Sequence, residues 1–182
     1  TGNAVDFGDT TTVGIPGGNA GCSSPTRGLV GGHQSPTSSI IEAITMASKG
    51  NSIRFGELSQ KRYRTGGLSN STRGVWGGGN PDNSPVNHTQ TMDYVTIASD
   101  GNAVDFGDIV RGTSPGSTSS STRGIFSGGY DNTTSPAAAG CTNIICYITL
   151  STLGDAMDFG DLSEVRGQNA VVSDSHGGLG GY

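Results

Sequence analysis

The stretch Gly101-Asn102-Ala103-Val104-Asp105-Phe106-Gly107-Asp108 decides the fold, because the chain contains it four times. Residues 2–9 repeat it letter for letter, and residues 50–57 and 154–161 are looser copies. The phenylalanines of the four copies lie about 50 residues apart, a period typical of propellers and solenoids. They are Phe7, Phe55, Phe106 and Phe159. The sequence therefore predicts a repeat protein, although the repeated residues do not identify a ligand.

The composition favours strands and turns over helices. Among 182 residues there are 32 glycines, and only 14% are charged. Regularly spaced strand-like segments argue against disorder. A net charge of -5 with no basic cluster predicts neither a nucleic-acid partner nor an anionic membrane partner. No apolar run approaches the roughly 18 residues that a membrane span needs.

Each repeat carries four segments in the same order. The quoted stretch alternates, which predicts an outermost strand with Val104 and Phe106 buried and Asp105 in solvent. The other three segments are a run of small residues, an apolar strand between a Ser-Thr-Arg turn and paired glycines, and a strand with apolar residues on both faces. The small-residue run suits an inner strand near a propeller axis, and an exposed loop is the alternative. The strand with two apolar faces suits packing between neighbouring sheets.

Four strands per period match the size of a propeller blade. We therefore predict an all-β, propeller-type domain over residues 1–182, a partial or small ring of about four blades. The repeat units are approximately residues 10–58, 59–109, 110–161 and an incomplete 162–182, with residues 1–9 forming the last strand of a preceding repeat. A parallel β-helix or a shallow solenoid is the main alternative. Flanking blades or a second copy of the chain would complete the ring.

The residues carry a resemblance to known repeats. The order of strands, with paired glycines, a tyrosine-containing strand and an aromatic strand, resembles kelch repeats. The amino-acid sequence of residues 94–108, with Ser121-Thr122-Arg123-Gly124 downstream, looks more closely like the Gly/Ser/Thr-rich repeats of virion structural and tail-fibre proteins of marine bacteriophages. The resemblance implies a virion or extracellular location and contact with a glycan or protein on a host surface. Phe7, Phe106 and Phe159 stand where kelch repeats commonly carry tryptophan.

The loops on one face differ between repeats, while the framework is constant. Such loops commonly bind a ligand, and neutral drift is the alternative. The candidate binding residues are His33, Gln34, Asn80, Asp82, Asn83, His88, Tyr130, Asp131 and Asn132.

Two charged positions recur and are predicted to be structural. The arginines Arg27, Arg73 and Arg123 are expected to donate to backbone carbonyls of the nearby Ser-x-Gly-Asn turn. The acids after Phe-Gly are expected to accept amide hydrogens in the turn that follows. They are Asp9, Glu57, Asp108 and Asp161.

No catalytic or metal-binding constellation is apparent in the sequence. His33, His88 and His176 stand alone, and Asp82-Asn83 and Asp131-Asn132 suit turns better than calcium sites. The three cysteines, Cys22, Cys141 and Cys146, are expected to be free thiols. We therefore predict a non-enzymatic structural or binding module without a cofactor. The alternative is a propeller-fold glycan hydrolase or lyase, which would need acids converging on the axis.

Overall fold

The computed structural model describes residues 2–11, 18–34, 36–81, 88–110, 112, 114–130 and 140–173. These residues form three four-stranded antiparallel sheets. Within them, no helix is long and apolar enough to cross a membrane.

The strands of each sheet follow one another in chain order. The first sheet contains β1 (Ala20–Ser23), β2 (Arg27–Gln34), β3 (Thr37–Thr45) and β4 (Ile53–Glu57). The second contains β5 (Gly66–Ser69), β6 (Arg73–Gly77), β7 (Thr91–Thr96) and β8 (Val104–Asp108). The third contains β9 (Gly116–Ser119), β10 (Arg123–Ser127), β11 (Thr142–Thr149) and β12 (Met157–Arg166). The four segments predicted from the sequence thus become the four strands of each sheet, with the small-residue run as the first strand.

Turns stabilised by side-chain to backbone hydrogen bonds connect the first strand of each sheet to the second. In the second sheet, Asn70 Oδ1 accepts hydrogen bonds from the amides of Thr72 at 3.0 Å and Arg73 at 2.8 Å. Ser120 Oγ accepts from the Arg123 amide at 3.1 Å at the same place in the third sheet. These polar residues fold the chain back on itself because their side chains substitute for backbone acceptors.

In the first and second sheets, the glycine that begins the Gly-Gly pair makes room for an aromatic ring from the next sheet. A Cβ on Gly31 would lie 3.0 Å from the Trp76 indole, and one on Gly77 would lie 2.7 Å from the Phe126 ring. Trp76 is fully buried and donates from Nε1 to the Ala20 carbonyl at 3.0 Å. The paired glycines therefore serve packing between sheets.

Two hydrophobic cores fill the spaces between neighbouring sheets. One lies between the first and second sheets, where Phe55 and Trp76 are buried with Ile97. The other lies between the second and third sheets, where Phe106 and Phe126 are buried with Leu150. Each core thus combines the outer-strand phenylalanine of one sheet with apolar residues of the next.

In β4 and β8 the phenylalanine is buried and the preceding apolar residue is exposed, so the predicted burial of that residue is wrong. In β12 both Met157 and Phe159 are exposed. Val104 is 56% exposed, whereas Phe106 is 2% exposed. The ladder between β7 and β8 changes register between Met92 and Asp93, which leaves Phe106 as an extra residue at a bulge. A bulge reorients the side chains on either side of it, and this breaks the simple alternation.

The sheets follow one another through their first strands. β1 contacts β5, and β5 contacts β9. Among the described residues, the three sheets follow one another in series, and no strand pairing closes them into a ring.

Candidate functional site

A ladder of serines joins the inner strands. Ser69 Oγ accepts from the Ser23 amide at 3.0 Å and donates to the Ser23 carbonyl at 2.8 Å. Ser119 Oγ bonds the Ser69 amide and carbonyl in the same way, at 3.3 and 2.6 Å. Ser173 Oγ continues the series by donating to the Ser119 carbonyl at 2.8 Å. One hydroxyl per repeat therefore fixes the spacing of the strands around the inner edge.

A left-handed residue precedes each of the inner strands β1, β5 and β9 by two positions, and Gln168 stands at the equivalent place before residues 170–173. The φ angles are 67° at Gly18, 57° at Arg64, 51° at Ser114 and 56° at Gln168. Only the first of these residues is the glycine that this conformation favours. Neighbouring copies are linked, because the Arg64 amide donates to the Gly18 carbonyl at 2.6 Å and the Ser114 amide to the Arg64 carbonyl at 2.7 Å.

These four positions border a cavity of about 410 Å³, which we call the axial pocket. Its other described lining residues are Asn19, Gln34, Thr65, Pro115 and Asn169. The pocket lies where the inner strands begin and β2 ends, which is the face that carries the variable loops. Amides, hydroxyls and one guanidinium therefore converge there from all four repeats. Such groups can hydrogen-bond the hydroxyls of a sugar or the polar groups of a peptide.

A second cavity, of about 630 Å³, lies beside the inner strands. Gly67, Ser117 and Ser173 border it from the inner edge, and Gly28 and Met46 border it from the open side of the first sheet. Its wall consists largely of small side chains.

The predicted binding residues fall in different environments. Gln34 lines the axial pocket. His33 and Asn80 are 3% and 1% exposed, so they belong to the framework and are not accessible to a ligand. His88 and Tyr130 are half-buried, and neither is among the described lining residues of the axial pocket. Asp82, Asn83, Asp131, Asn132 and His176 lie outside the described residues.

Two of the recurring arginines, Arg27 and Arg73, join neighbouring sheets. Arg27 Nη1 donates to the Ile97 carbonyl at 3.0 Å, and Arg73 Nη1 donates to the Leu150 carbonyl at 2.8 Å. Both acceptors lie at the end of the third strand of the next sheet, beside the predicted turn. Each arginine also stacks on a ring of its own sheet, as Arg123 does on Tyr147 with the guanidinium 4.7 Å from the ring centre. The sequence predicted a backbone acceptor, but not the ring.

The backbone amides of the recurring acids after Phe-Gly bond to the next repeat, and the Glu57 carboxylate accepts from the Arg54 guanidinium and, at 3.5 Å, from the Ser39 hydroxyl. The Glu57 amide donates to Asn102 Oδ1 at 3.1 Å, and the Asp108 amide donates to Asp155 Oδ1 at 3.0 Å. The carboxylate that accepts a nearby amide belongs to the aspartate before the phenylalanine, because the Gly107 amide donates to Asp105 Oδ1 at 3.1 Å. The expected role was therefore assigned to the wrong acid. Asp9 repeats the Glu57 contact with Asn51, and Asp161 lies at the end of the series.

Two buried carboxylates that the sequence analysis missed hold the connections between repeats. Asp93 Oδ2 accepts from the Ser59 amide and hydroxyl at 3.0 and 2.9 Å and from Arg62 at 2.9 Å. Glu42 accepts from Thr11 and Ser52 at the corresponding place in the first sheet. An acid inside the apolar runs Ile41-Glu42-Ala43 and Met92-Asp93-Tyr94 was the available signal. Burial lowers the pKa of the Arg62 guanidinium, and the Asp93 carboxylate opposes this shift.

The three cysteines are free thiols, as expected. Burial raises the pKa of the Cys22 and Cys146 thiols, so both are held in the unreactive neutral form. Among the residues that the structure describes, no group of three or more metal-binding side chains converges.

Neither a scan against protein-family models nor a search of the curated proteins found a match.

Proposed function

We propose that this chain is a non-enzymatic binding and structural module of propeller type, whose ligand enters the axial pocket on the variable face. The single observation that carries the proposal is that all four repeats contribute polar groups to that pocket. The described lining supplies amide, hydroxyl and guanidinium donors, and the pocket's 410 Å³ suits one or two sugar rings or a short peptide segment.

The backbone of the pocket supports a binding role. Arg64, Ser114 and Gln168 are held in a left-handed conformation that costs on the order of 1 kcal/mol or more for a residue other than glycine. A glycine at these positions would serve the fold alone, as Gly18 does. The side chains are therefore retained at an energetic cost at the rim of the pocket.

The repeats resemble those of phage virion and tail-fibre proteins, and on that resemblance the module would belong to a particle or an extracellular structure. Its ligand would then be a glycan or protein on a host surface. A ring completed by further sheets would extend the same polar rim.

A glycan array with purified chain tests the proposal. Arg64→Gly removes the side chain while keeping the left-handed backbone, and Gln34→Ala removes the amide from the opposite strand. Arg54→Ala is the matched control, because Arg54 is exposed on the outer strand, away from the described pocket residues. We expect array binding that the first two variants lose and the control retains.

The same variants can be tested against intact host cells, where a protein receptor would also be detected. If wild-type chain binds neither glycans nor cells, the binding role is wrong. If all three variants bind as wild type does, the pocket is the wrong site.

A further inference from the structure

One backbone contact occurs three times between successive repeats, and we call it the ladder contact. Residues 7–9 pair with 50–52, residues 55–57 with 101–103, and residues 106–108 with 154–156. In each case two amides of the Gly-Asn turn donate to the carbonyls of the phenylalanine and of the acid that follows it, at 2.7–3.0 Å. The side chain of Asn51, Asn102 or Asp155 accepts the amide of that same acid. Three hydrogen bonds of fixed geometry thus make up the contact.

The middle glycine of Phe-Gly-Asp is shaped for the ladder contact. A Cβ on Gly8, Gly56 or Gly107 would collide with the backbone of the facing glycine of the next repeat. A Cβ on Gly160, which holds the same place in β12, has no described atom within 4 Å. Gly2, which holds the place of the facing glycine, is exposed.

Both halves of the ladder contact are therefore exposed at opposite ends of the described series. Gly2-Asn3-Ala4 is identical to Gly101-Asn102-Ala103, and Phe159-Gly160-Asp161 is identical to Phe106-Gly107-Asp108. Phe159 is 54% exposed, whereas Phe106 is covered by the next repeat and is 2% exposed. The phenylalanine thus marks the end at which a further Gly-Asn turn would bind.

The inner edge shows a second pair of complementary surfaces. Cys22 and Leu68 fill the space above a glycine of the following sheet, where a Cβ on Gly74 or Gly124 would collide with them. Val172 is the equivalent residue of the last repeat and is exposed. The equivalent glycine of the first sheet is Gly28, which borders the larger cavity.

We propose that a second copy of this chain binds head to tail, with the Gly2-Asn3-Ala4 turn of one copy on Phe159-Gly160-Asp161 of the other and Val172 of one against Gly28 of the other. The interface would repeat the packing already present between the first and second sheets and between the second and third. Among the described residues, no backbone hydrogen bond joins residues 2–4 to residues 159–161 of the same chain, and a second copy would supply the missing half at each end. The interface is heterologous, so it generates a ring or an open polymer according to the rotation between copies.

Directed disulfide formation tests which chains meet. The Asp9 amide lies 3.0 Å from Asn51 Oδ1, so cysteines at the equivalent positions 161 and 3 of adjoining copies would have neighbouring backbones. Asn3→Cys and Asp161→Cys are made as separate variants, mixed and mildly oxidised. We expect a crosslinked dimer from the mixture and only the wild-type background from either variant alone. That background is measured on wild-type chain, because Cys141 is only half-buried.

Light scattering measures the association of the copies at equilibrium, without a crosslink. Asn3→Ala removes the acceptor for the amide of Asp161 in the neighbouring copy, and we expect about tenfold weaker association without loss of thermal stability. Asn51→Ala removes the same acceptor inside the chain, so it is expected to lower the melting temperature. The proposal is overturned if wild-type chain keeps the mass of one chain over the whole concentration range. It is also overturned if the Asn3→Cys/Asp161→Cys double variant crosslinks within a single chain. Neither result depends on ligand binding at the axial pocket.

Discussion

The junction between the first and second sheets and the junction between the second and third share one backbone geometry but use different chemistry. At the first junction, Asp93 and Arg62 form a buried ion pair beside Trp76. At the second, Cys146 and Phe126 occupy the places of Asp93 and Trp76, as the equal pairing of β6 with β7 and of β10 with β11 shows. A buried thiol can thus replace a buried carboxylate without changing the strand register. The comparison indicates that backbone hydrogen bonds and glycine contacts define the junction. The buried side chains at the positions of Asp93 and Trp76 can differ from one junction to the other.

The largest expected effect comes from breaking the ion pair. Asp93→Ala leaves the Arg62 guanidinium buried with no carboxylate, and we expect a loss of about 3–5 kcal/mol in the free energy of unfolding. The matched change at the second junction, Cys146→Ala, removes one sulfur from a packed core and should cost about 1–2 kcal/mol. Urea unfolding monitored by tryptophan fluorescence measures both. Equal losses at the two positions would contradict the distinction between the junctions.

Converting the first junction to the chemistry of the second should restore most of that loss. Among the described residues, Arg62 Nε and Nη1 have no hydrogen-bond partner, so the pair carries a desolvation cost that apolar groups avoid. We expect Arg62→Met combined with Asp93→Cys to lie within about 1–2 kcal/mol of wild type in the same urea experiment. A double variant as unstable as Asp93→Ala would show that the ion pair is needed for its hydrogen bonds to the connection at Ser59.

Replacing the buried aromatic residue of the first junction should have a smaller effect on the free energy of unfolding. Trp76→Phe installs the ring that the second junction uses, but it leaves a gap and removes the bond from Nε1 to the Ala20 carbonyl. We expect a loss of about 1–2 kcal/mol in the free energy of unfolding, measured by urea denaturation followed by circular dichroism. Phe126→Leu, which keeps an apolar residue without a polar bond to lose, is the control at the second junction.

The fold was predictable because its signals are local and repeated. The alternation of small, apolar and aromatic segments gave the four strands of each sheet, and the paired glycines marked where β6 and β10 end. The exposure of Val104 was not predictable, because the bulge at Phe106 depends on pairing with β7 across the sheet. A period of two in the sequence says nothing about an extra residue in one strand of a pair.

The candidate site was less accessible to sequence reasoning. Of the predicted loop residues that the structure describes, Gln34 alone borders the axial pocket, because the pocket forms where four separate connections meet. Arg64, Ser114 and Gln168 share a backbone conformation but no side-chain chemistry, so no repeated letter marks them. The buried acids Glu42 and Asp93 could have been found as charged residues within apolar strands, but their partners Thr11 and Ser59 come from the preceding connection.

The smallest expected effect concerns the side chain that accepts a hydrogen bond in the ladder contact. This acceptor is Asn51 or Asn102 in two copies and Asp155 in the third. Burial raises the pKa of Asp108, and the neighbouring Asp155 and Asp105 carboxylates raise it further. A carboxyl group whose pKa is raised on folding contributes stability below its unfolded pKa and loses that contribution as the pH rises through the folded value. The ladder contact at Asp108 should therefore weaken on going from about pH 3 to pH 7. Asp155→Asn should remove part of this loss.

We expect Asp155→Asn to match wild type in melting temperature at about pH 3 and to exceed it by a gain worth less than about 1 kcal/mol at pH 7. The effect should shrink in high salt because the Asp108 side chain lies near solvent. Asn102→Asp is the reciprocal variant, and it should introduce the same pH dependence at the first junction, beside Glu57. A gain from Asp155→Asn that is equally large at pH 3 would show that the amide improves the hydrogen bond to the Asp108 backbone and that charge repulsion has no part in it.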